Sequence, residues 1–296
     1  MSDNTPTPTT LLLIDVQKDF HPGGSLAIPT ANDDAARIAT LIRANTTTIT
    51  RIVATMDSHA KLHIANPCFW WNKDGTQHPD PFTIISAKDI EQGVWKPRQD
   101  LKLPLDDSGV LDATIFSGAD KLVSSGGDLD LTKYCLEYAR RLEQKGRFQI
   151  CIWPEHCLIG SPGHAIVDDI QQALHEWMER TGGSVEWVLK GQNLLTEMYS
   201  ALEADVPVSS ATSFNQKLFE SLVKSDRLWV CGQAMSHCVN YTLRDIVNKC
   251  TSHEETNKIY LLTDCASAVP GFEEAAETFQ NEMKEAGVNL TVSTDV

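Results

Sequence analysis

The sequence predicts an α/β fold, a three-layer sandwich built on a mainly parallel six-stranded sheet of Rossmann-like type. Short aliphatic or β-branched runs recur along the chain, and segments with helical apolar spacing separate several of them. Polar residues able to do chemistry stand at or just beyond the carboxyl ends of those runs, where open parallel sheets form their ligand sites.

Taken in order, strands are expected at LLLID (11–15), RIVATMD (51–57), FQICIW (148–153), VEWVLK (185–190), LWVCG (228–232) and IYLLTD (259–264). Continuous apolar runs of this kind suit strands buried on both faces. A helix is expected over 128–145, where Leu131, Cys135, Tyr138 and Leu142 share one face. Another follows Cys238, with Val239, Leu243, Ile246 and Cys250 on one face. Between Ile64 and Gly127 the pattern gives way to a stretch bearing Trp, Pro and Gly, read as an insertion at about 64–127 that carries loops and a hairpin. Residues 1–10 read as a disordered tail and 11–296 as a single domain.

Composition narrows the function classes. Of 296 residues, 42% are hydrophobic and 22% charged, which suits a soluble globular chain with a real core. With 25 basic against 40 acidic residues, a net charge of -15 and no Lys/Arg run, nucleic acid and anionic membranes are not expected partners. No apolar run approaches the roughly 18 residues of a membrane span, and MSDNTPTPTT lacks the features of a signal peptide, so a cytoplasmic location is expected. The eight cysteines form no Cys-x-x-Cys pair and read as mostly reduced. Oligomeric state is left open, a homo-oligomer included.

The stretch LWVCGQAMSHCVNYTLRDIV (228–247) runs from an apolar strand through a small-residue turn into a helix. A cysteine is ordinarily a small buried hydrophobe. At a helix mouth, with Ser236 as N-cap and a cation nearby, Cys238 would instead have its thiol pKa lowered and act as a nucleophile. Asp15 and Lys190 each end a strand, where a charged residue is commonly just solvated. Together they offer a carboxylate to carry the thiol proton and a cation to hold negative charge. Asp57 and His59, with His156 arriving from another strand end, have the residue types of a divalent metal site, and His63 is a fourth candidate.

LLLIDVQKDF, DSHAKLHI, WPEHC, VLKG and GQAMSHCV, in this order, resemble the isochorismatase-like cysteine hydrolases, and among them the nicotinamidases, over about residues 11 to 270. The resemblance implies an enzyme hydrolysing a C-N bond of a linear amide, with nicotinamide converted to nicotinate as a step in NAD metabolism. It places the catalytic residues at Asp15, Lys190 and Cys238, and an oxyanion hole at the amides of Ala234 and Cys238. It puts the metal ligands at Asp57, His59 and His156, with zinc the divalent ion implied, and aromatic pocket walls at Phe20 and Trp153. A cis peptide is implied at Gln233-Ala234. The chain departs from the family at Met235, Ser236 and His237, at Ser58, and in its longer insertion, whose Trp70, Trp71 and Trp95 are expected to shape the entrance. Vinyl ether hydrolysis of the isochorismatase type and a non-catalytic binding role on the same fold are the alternatives.

Overall fold

The computed structural model describes residues 7–101, 110–123, 127–146 and 148–296. The strands are β1 (Thr9–Ile14), β2 (Ile49–Asp57), β3 (Trp70–Asn72), β4 (Ile84–Ile85), β5 (Trp95–Pro97), β6 (Ile150–Cys151), β7 (Val185–Lys190), β8 (Arg227–Gly232), β9 (Ile259–Leu262) and β10 (Asn289–Thr291). The α-helices are α1 (Ala31–Ala44), α2 (Ala87–Glu91), α3 (Leu131–Gln144), α4 (Asp168–Thr181), α5 (Gln216–Val223), α6 (Cys238–Lys249), α7 (His253–Thr256) and α8 (Glu273–Glu285).

Six strands form one sheet in the order β10-β9-β8-β1-β2-β7, and every neighbouring pair is parallel. The alternation of side chains along β1 sorts its residues between two layers. Leu11 and Leu13 pack with Ile38 and Ile42 of α1 and with Ile170, Leu174 and Trp177 of α4. Leu12 and Ile14 pack on the other face with Leu218 and Leu222 of α5, Leu243 and Ile246 of α6, and Phe279 of α8. β1 is buried along its whole length, which is why its sequence is an unbroken apolar run. The expected three-layer fold is present.

Two expectations change. FQICIW does not join the main sheet: β6 pairs antiparallel with β4, and β10 takes the sixth place beside β9. The position next to β2 is filled by β7, in a register that sets Asp57 opposite Lys190, so Ile150 and Ile152 instead serve a separate core with Phe69, Trp70, Ile85, Tyr134 and Tyr138. The tail also ends earlier than expected, since Thr9 and Thr10 are buried ladder residues of β1, while residues 1–6 lie outside the described ones.

In the insertion β3 pairs antiparallel with β5, Trp70 opposite Pro97, but β4 and α2 lie between them in sequence, so the pair is not the expected hairpin. Residues 102–109 and 124–126 of the insertion lie outside the described ones. Trp70 is fully buried and donates to the Ile64 carbonyl at 2.6 Å, Trp71 lies over His78 with centroids 3.8 Å apart, and Trp95 packs on the same core as Trp70. These indoles build the insertion rather than the entrance to the site.

α3 and α6 occupy the expected helical segments. No helix among the described residues is long and apolar enough to cross a membrane. Within the sheet, β8, β1, β2 and β7 lie side by side, and the parallel arrangement brings all four carboxyl ends to one edge.

Candidate active site

Asp15 follows directly on β1 and turns out of it at φ 46°, a left-handed conformation uncommon for a non-glycine residue. Its carboxylate is fully buried: Oδ1 accepts the Thr55 hydroxyl at 2.6 Å, and the Asp15 amide donates to the same oxygen of Thr55 at 3.1 Å. Lys190, the last residue of β7, is also buried and places Nζ 2.9 Å from Asp15 Oδ2. That oxygen is in ionic contact with the ammonium but outside hydrogen-bond geometry. The three N-H groups of Lys190 point at Asp57 Oδ1 (3.2 Å), the Met198 carbonyl (3.1 Å) and Cys238 Sγ (3.4 Å). One cation therefore serves two carboxylates and a sulfur, which keeps Lys190 charged well above the usual lysine range despite burial.

Cys238 is the first residue of α6 and is buried, at 5% exposure. The expected acidic thiol is not found: burial pushes its pKa well up, Lys190 pulls it down, and the charges of Asp15 and Asp57 push it up again. Burial is the first reason, and the pull of Lys190, which also serves Asp15 and Asp57, does not offset it. The resting sulfur is a neutral thiol beside Asp15, whose own pKa is raised, by burial first, against the pull of Lys190. Ser236 is not the N-cap either. That place belongs to His237, with no side-chain cap, while Ser236 Oγ accepts the Val269 amide at 3.1 Å and lies 2.9 Å from His237 Nδ1.

The turn before Cys238 is forced into shape by close backbone approach. A Cβ on Gly232, at φ 120°, would lie 2.0 Å from the Ile14 carbonyl oxygen, so only glycine lets β8 end against β1. The Gln233-Ala234 peptide is cis, as expected. Among the described residues, neither the Ala234 amide nor the Cys238 amide donates a hydrogen bond.

Asp57, His59 and His156 converge with ligand atoms all within 4.8 Å of one another. Asp57 Oδ2 lies 3.0 Å from His59 Nε2 and 3.4 Å from His156 Nε2. The outer nitrogens are engaged elsewhere, His59 Nδ1 with the Gly191 carbonyl at 3.0 Å and His156 Nδ1 with the Pro154 carbonyl at 2.8 Å. With each Nδ1 held by a carbonyl, the Nε2 atoms are the ones that face Asp57, the orientation ligation requires. Gly191 completes the cradle, since a Cβ there would come within 2.8 Å of both Asp57 Oδ1 and His59 Cε1. Asp57 is held well below the usual carboxylate range by His59 and Lys190 against the effect of burial, and Asp57 in turn raises His59 to about 9. A carboxylate with two inward imidazoles fits a divalent transition ion. His63 does not join them: its Nε2 donates to the Thr196 carbonyl at 3.1 Å and its Nδ1 accepts the Ala65 amide at 3.2 Å, leaving no lone pair.

A narrow cavity over Cys238 is lined by Phe20, Leu26, Asp57, Trp153, His156, Glu197, Tyr199, Ala234, His237 and Val269. Asp15, Lys190, Cys238, Asp57, His59, His156, Phe20 and Trp153, as many as 223 positions apart in sequence, are brought to one end of the sheet. Trp153 is fixed by its Nε1, which donates to the Tyr199 hydroxyl at 3.1 Å. Sequence reasoning missed Glu197 and Tyr199, which lie in the irregular segment after β7, and Thr55, which reads as an ordinary strand residue. The first two carry no spacing signal at all.

The fold is that of solved nicotinamidase and pyrazinamidase structures. A nicotinamidase/pyrazinamidase of Acinetobacter baumanii superposes with a TM-score of 0.58 at 18% identity, covering 99% of each chain. A yeast nicotinamidase bound to the inhibitor nicotinaldehyde gives 0.57 at 18% identity, over 96% of this chain and 99% of that one. A Pyrococcus horikoshii pyrazinamidase in complex with zinc gives 0.52 at 19% identity, over 96% of this chain and 98% of that one. No protein-family model and no curated protein matches the chain.

Proposed function

We propose that this protein is a cysteine amidohydrolase that cleaves a small aromatic carboxamide to the acid and ammonia through a thioester, with nicotinamide as substrate and nicotinate as product. The observation that carries the reading is the meeting of Asp15, Lys190 and Cys238 with Asp57, His59 and His156 around one buried cavity. The solved proteins of this fold, named for nicotinamide and pyrazinamide hydrolysis, support it.

In the first half-reaction Cys238 Sγ attacks the amide carbon while Asp15 takes the thiol proton. The paired elevation of the Cys238 and Asp15 pKa values suits this transfer, because the two sites compete for one proton beside a shared cation. The unengaged amides of Ala234 and Cys238 stabilise the oxyanion. Asp15 then passes the proton to the departing nitrogen, ammonia leaves, and the acyl group remains on sulfur. In the second half-reaction Asp15 accepts a proton from water as the water oxygen attacks the thioester, and returns it to the sulfur as the acid departs. Lys190 stays charged throughout and holds the sulfur and the two carboxylates in register. Phe20 and Trp153 line the walls that receive a flat ring. Asp57, His59 and His156 would hold a divalent ion, with zinc the proposed metal, which supplies Lewis acidity toward a ring nitrogen and orients it.

The test is ammonia release from nicotinamide, pyrazinamide and an aliphatic amide by the metal-loaded protein, with isochorismate consumption followed in parallel. Hydrolysis of the aromatic amides is expected. Consumption of the vinyl ether alone overturns the reading, and cleavage of the aliphatic amide alone removes the ring pocket from it.

A further inference from the structure

His237 lines the catalytic cavity, immediately precedes Cys238, and is 3% exposed. Among the described residues its Nε2 has no hydrogen-bond partner, and no other polar side chain on the cavity wall leaves a buried nitrogen or oxygen unpaired. The ring cannot swing away to find one. Phe148 stacks on it with centroids 5.0 Å apart, Phe272 meets it at 4.7 Å, and Trp153 and Tyr199 each stand edge-on at 5.2 Å.

The hydrogen bonds also favour one tautomer of the ring. Ser236 Oγ accepts the Val269 amide and lies 2.9 Å from His237 Nδ1. The hydroxyl has one hydrogen, and giving it to Nδ1 satisfies both groups, which leaves the ring proton on Nε2. A residue of the cavity wall next to the nucleophile therefore carries a buried, unpaired N-H donor. A buried donor without an acceptor is unfavourable, so a ligand that supplies the acceptor gains relative to one that does not.

We propose that His237 is a specificity-determining residue: its Nε2-H donates to a second acceptor on the substrate, so the preferred substrates are heteroaromatic carboxamides bearing a further ring nitrogen, hydroxyl or carbonyl besides the scissile amide and one ring nitrogen. This rests on the aromatic amidohydrolase reading and narrows its substrate class. Nicotinamide, with a single ring nitrogen, then serves as the reference compound rather than the optimum.

The test measures kcat/KM for nicotinamide, pyrazinamide and nicotinamides hydroxylated at each free ring position, with wild type, His237→Phe and His237→Gln. Phenylalanine keeps the stacking on Phe148 and removes the donor, whereas glutamine keeps an N-H donor. Wild type is expected to prefer at least one acceptor-bearing amide over nicotinamide by about tenfold, a difference of about 1.4 kcal/mol carried by KM. His237→Phe should erase the preference and His237→Gln retain part of it. The same compounds bound to Cys238→Ala and Cys238→Ala/His237→Phe, followed by calorimetry, read the contact without turnover. Equal treatment of all the amides by wild type, or a preference that survives His237→Phe, overturns the assignment while leaving the amidohydrolase reading intact. Failure of wild type to hydrolyse any of them overturns that reading instead, and the binding ratio still decides the role of His237.

Discussion

Replacing Lys190 by methionine removes the lysine ammonium that lies between two buried carboxylates. Nζ lies 2.9 Å from Asp15 Oδ2 and 3.2 Å from Asp57 Oδ1, and all three side chains are almost wholly buried. Methionine fills much of the same volume, so the change is mainly one of charge. Removing one partner of a buried ion pair typically destabilises by about 3 to 5 kcal/mol, because the remaining charge has neither water nor counterion. Here Asp15 loses the ammonium beside it while Asp57 keeps His59 at 3.0 Å, so we expect a loss within that range at pH 8. The sign with pH follows from linkage. Without Lys190 the Asp15 pKa, already raised in the native protein, rises further above its unfolded value. The folded variant then favours a protonated carboxyl, and its deficit is largest at high pH and shrinks as pH falls. Urea denaturation of chelator-treated wild type and Lys190→Met at pH 8, 7, 6 and 5 measures this directly. A deficit below about 1 kcal/mol, or one that does not change across that range, would refute the assignment of Lys190 as the counterion of Asp15.

Cys238→Ala should abolish amide hydrolysis while retaining a cooperative unfolding transition, since it removes only one sulfur from the start of α6; turnover within threefold of wild type counts against the nucleophile. Asp15→Asn should remove acylation to a comparable degree, and a normal rate of thioester formation in a stopped-flow assay would show that Asp15 is not the base. Thr55→Val deletes the 2.6 Å hydrogen bond that lowers the Asp15 pKa, so the acid limb of the pH-rate profile should move to higher pH, and an unmoved limb would disconnect that limb from Asp15. His156→Ala should lower metal affinity by roughly ten- to a hundredfold or more, and chelation should lower activity; metal content equal to wild type after dialysis would exclude His156 as a ligand.

The legible part of this protein was whatever depends on continuous apolar runs and on residues placed at strand ends. β1, β2, β7, β8 and β9 lie within a few residues of the runs that announce them, and Asp15, Asp57 and Lys190 stand at the ends of three of those strands. What failed depends on competition between segments, which a single run does not encode. FQICIW has the composition of a core strand, yet β7 takes the edge beside β2, and the hydrophobic residues of the run go to the insertion. β10 is three half-buried residues and gives no comparable signal. The same kind of competition misled the chemistry of Cys238, since a helix start and a nearby lysine both argue for an acidic thiol when each is taken alone. Only the geometry shows that the thiol is buried and that Asp15 and Asp57 share the lysine.

That arrangement changes what the site is built to do. A cysteine kept as a permanent thiolate is open to oxidation whenever the site is empty, whereas a neutral thiol is the weaker target. On the proposed mechanism the sulfur becomes nucleophilic only as its proton passes to Asp15, and Lys190, in contact with both groups, stays in place while negative charge moves from the carboxylate toward the sulfur. The cation needs little reorganisation during the transfer, which is the property expected of a preorganised electrostatic site. Lys190 also reaches Asp57, so the charge that steadies the nucleophile is tied to the residue that anchors the candidate metal cradle. On that reading, a change at the metal cradle would reach Cys238 through Asp57 and Lys190.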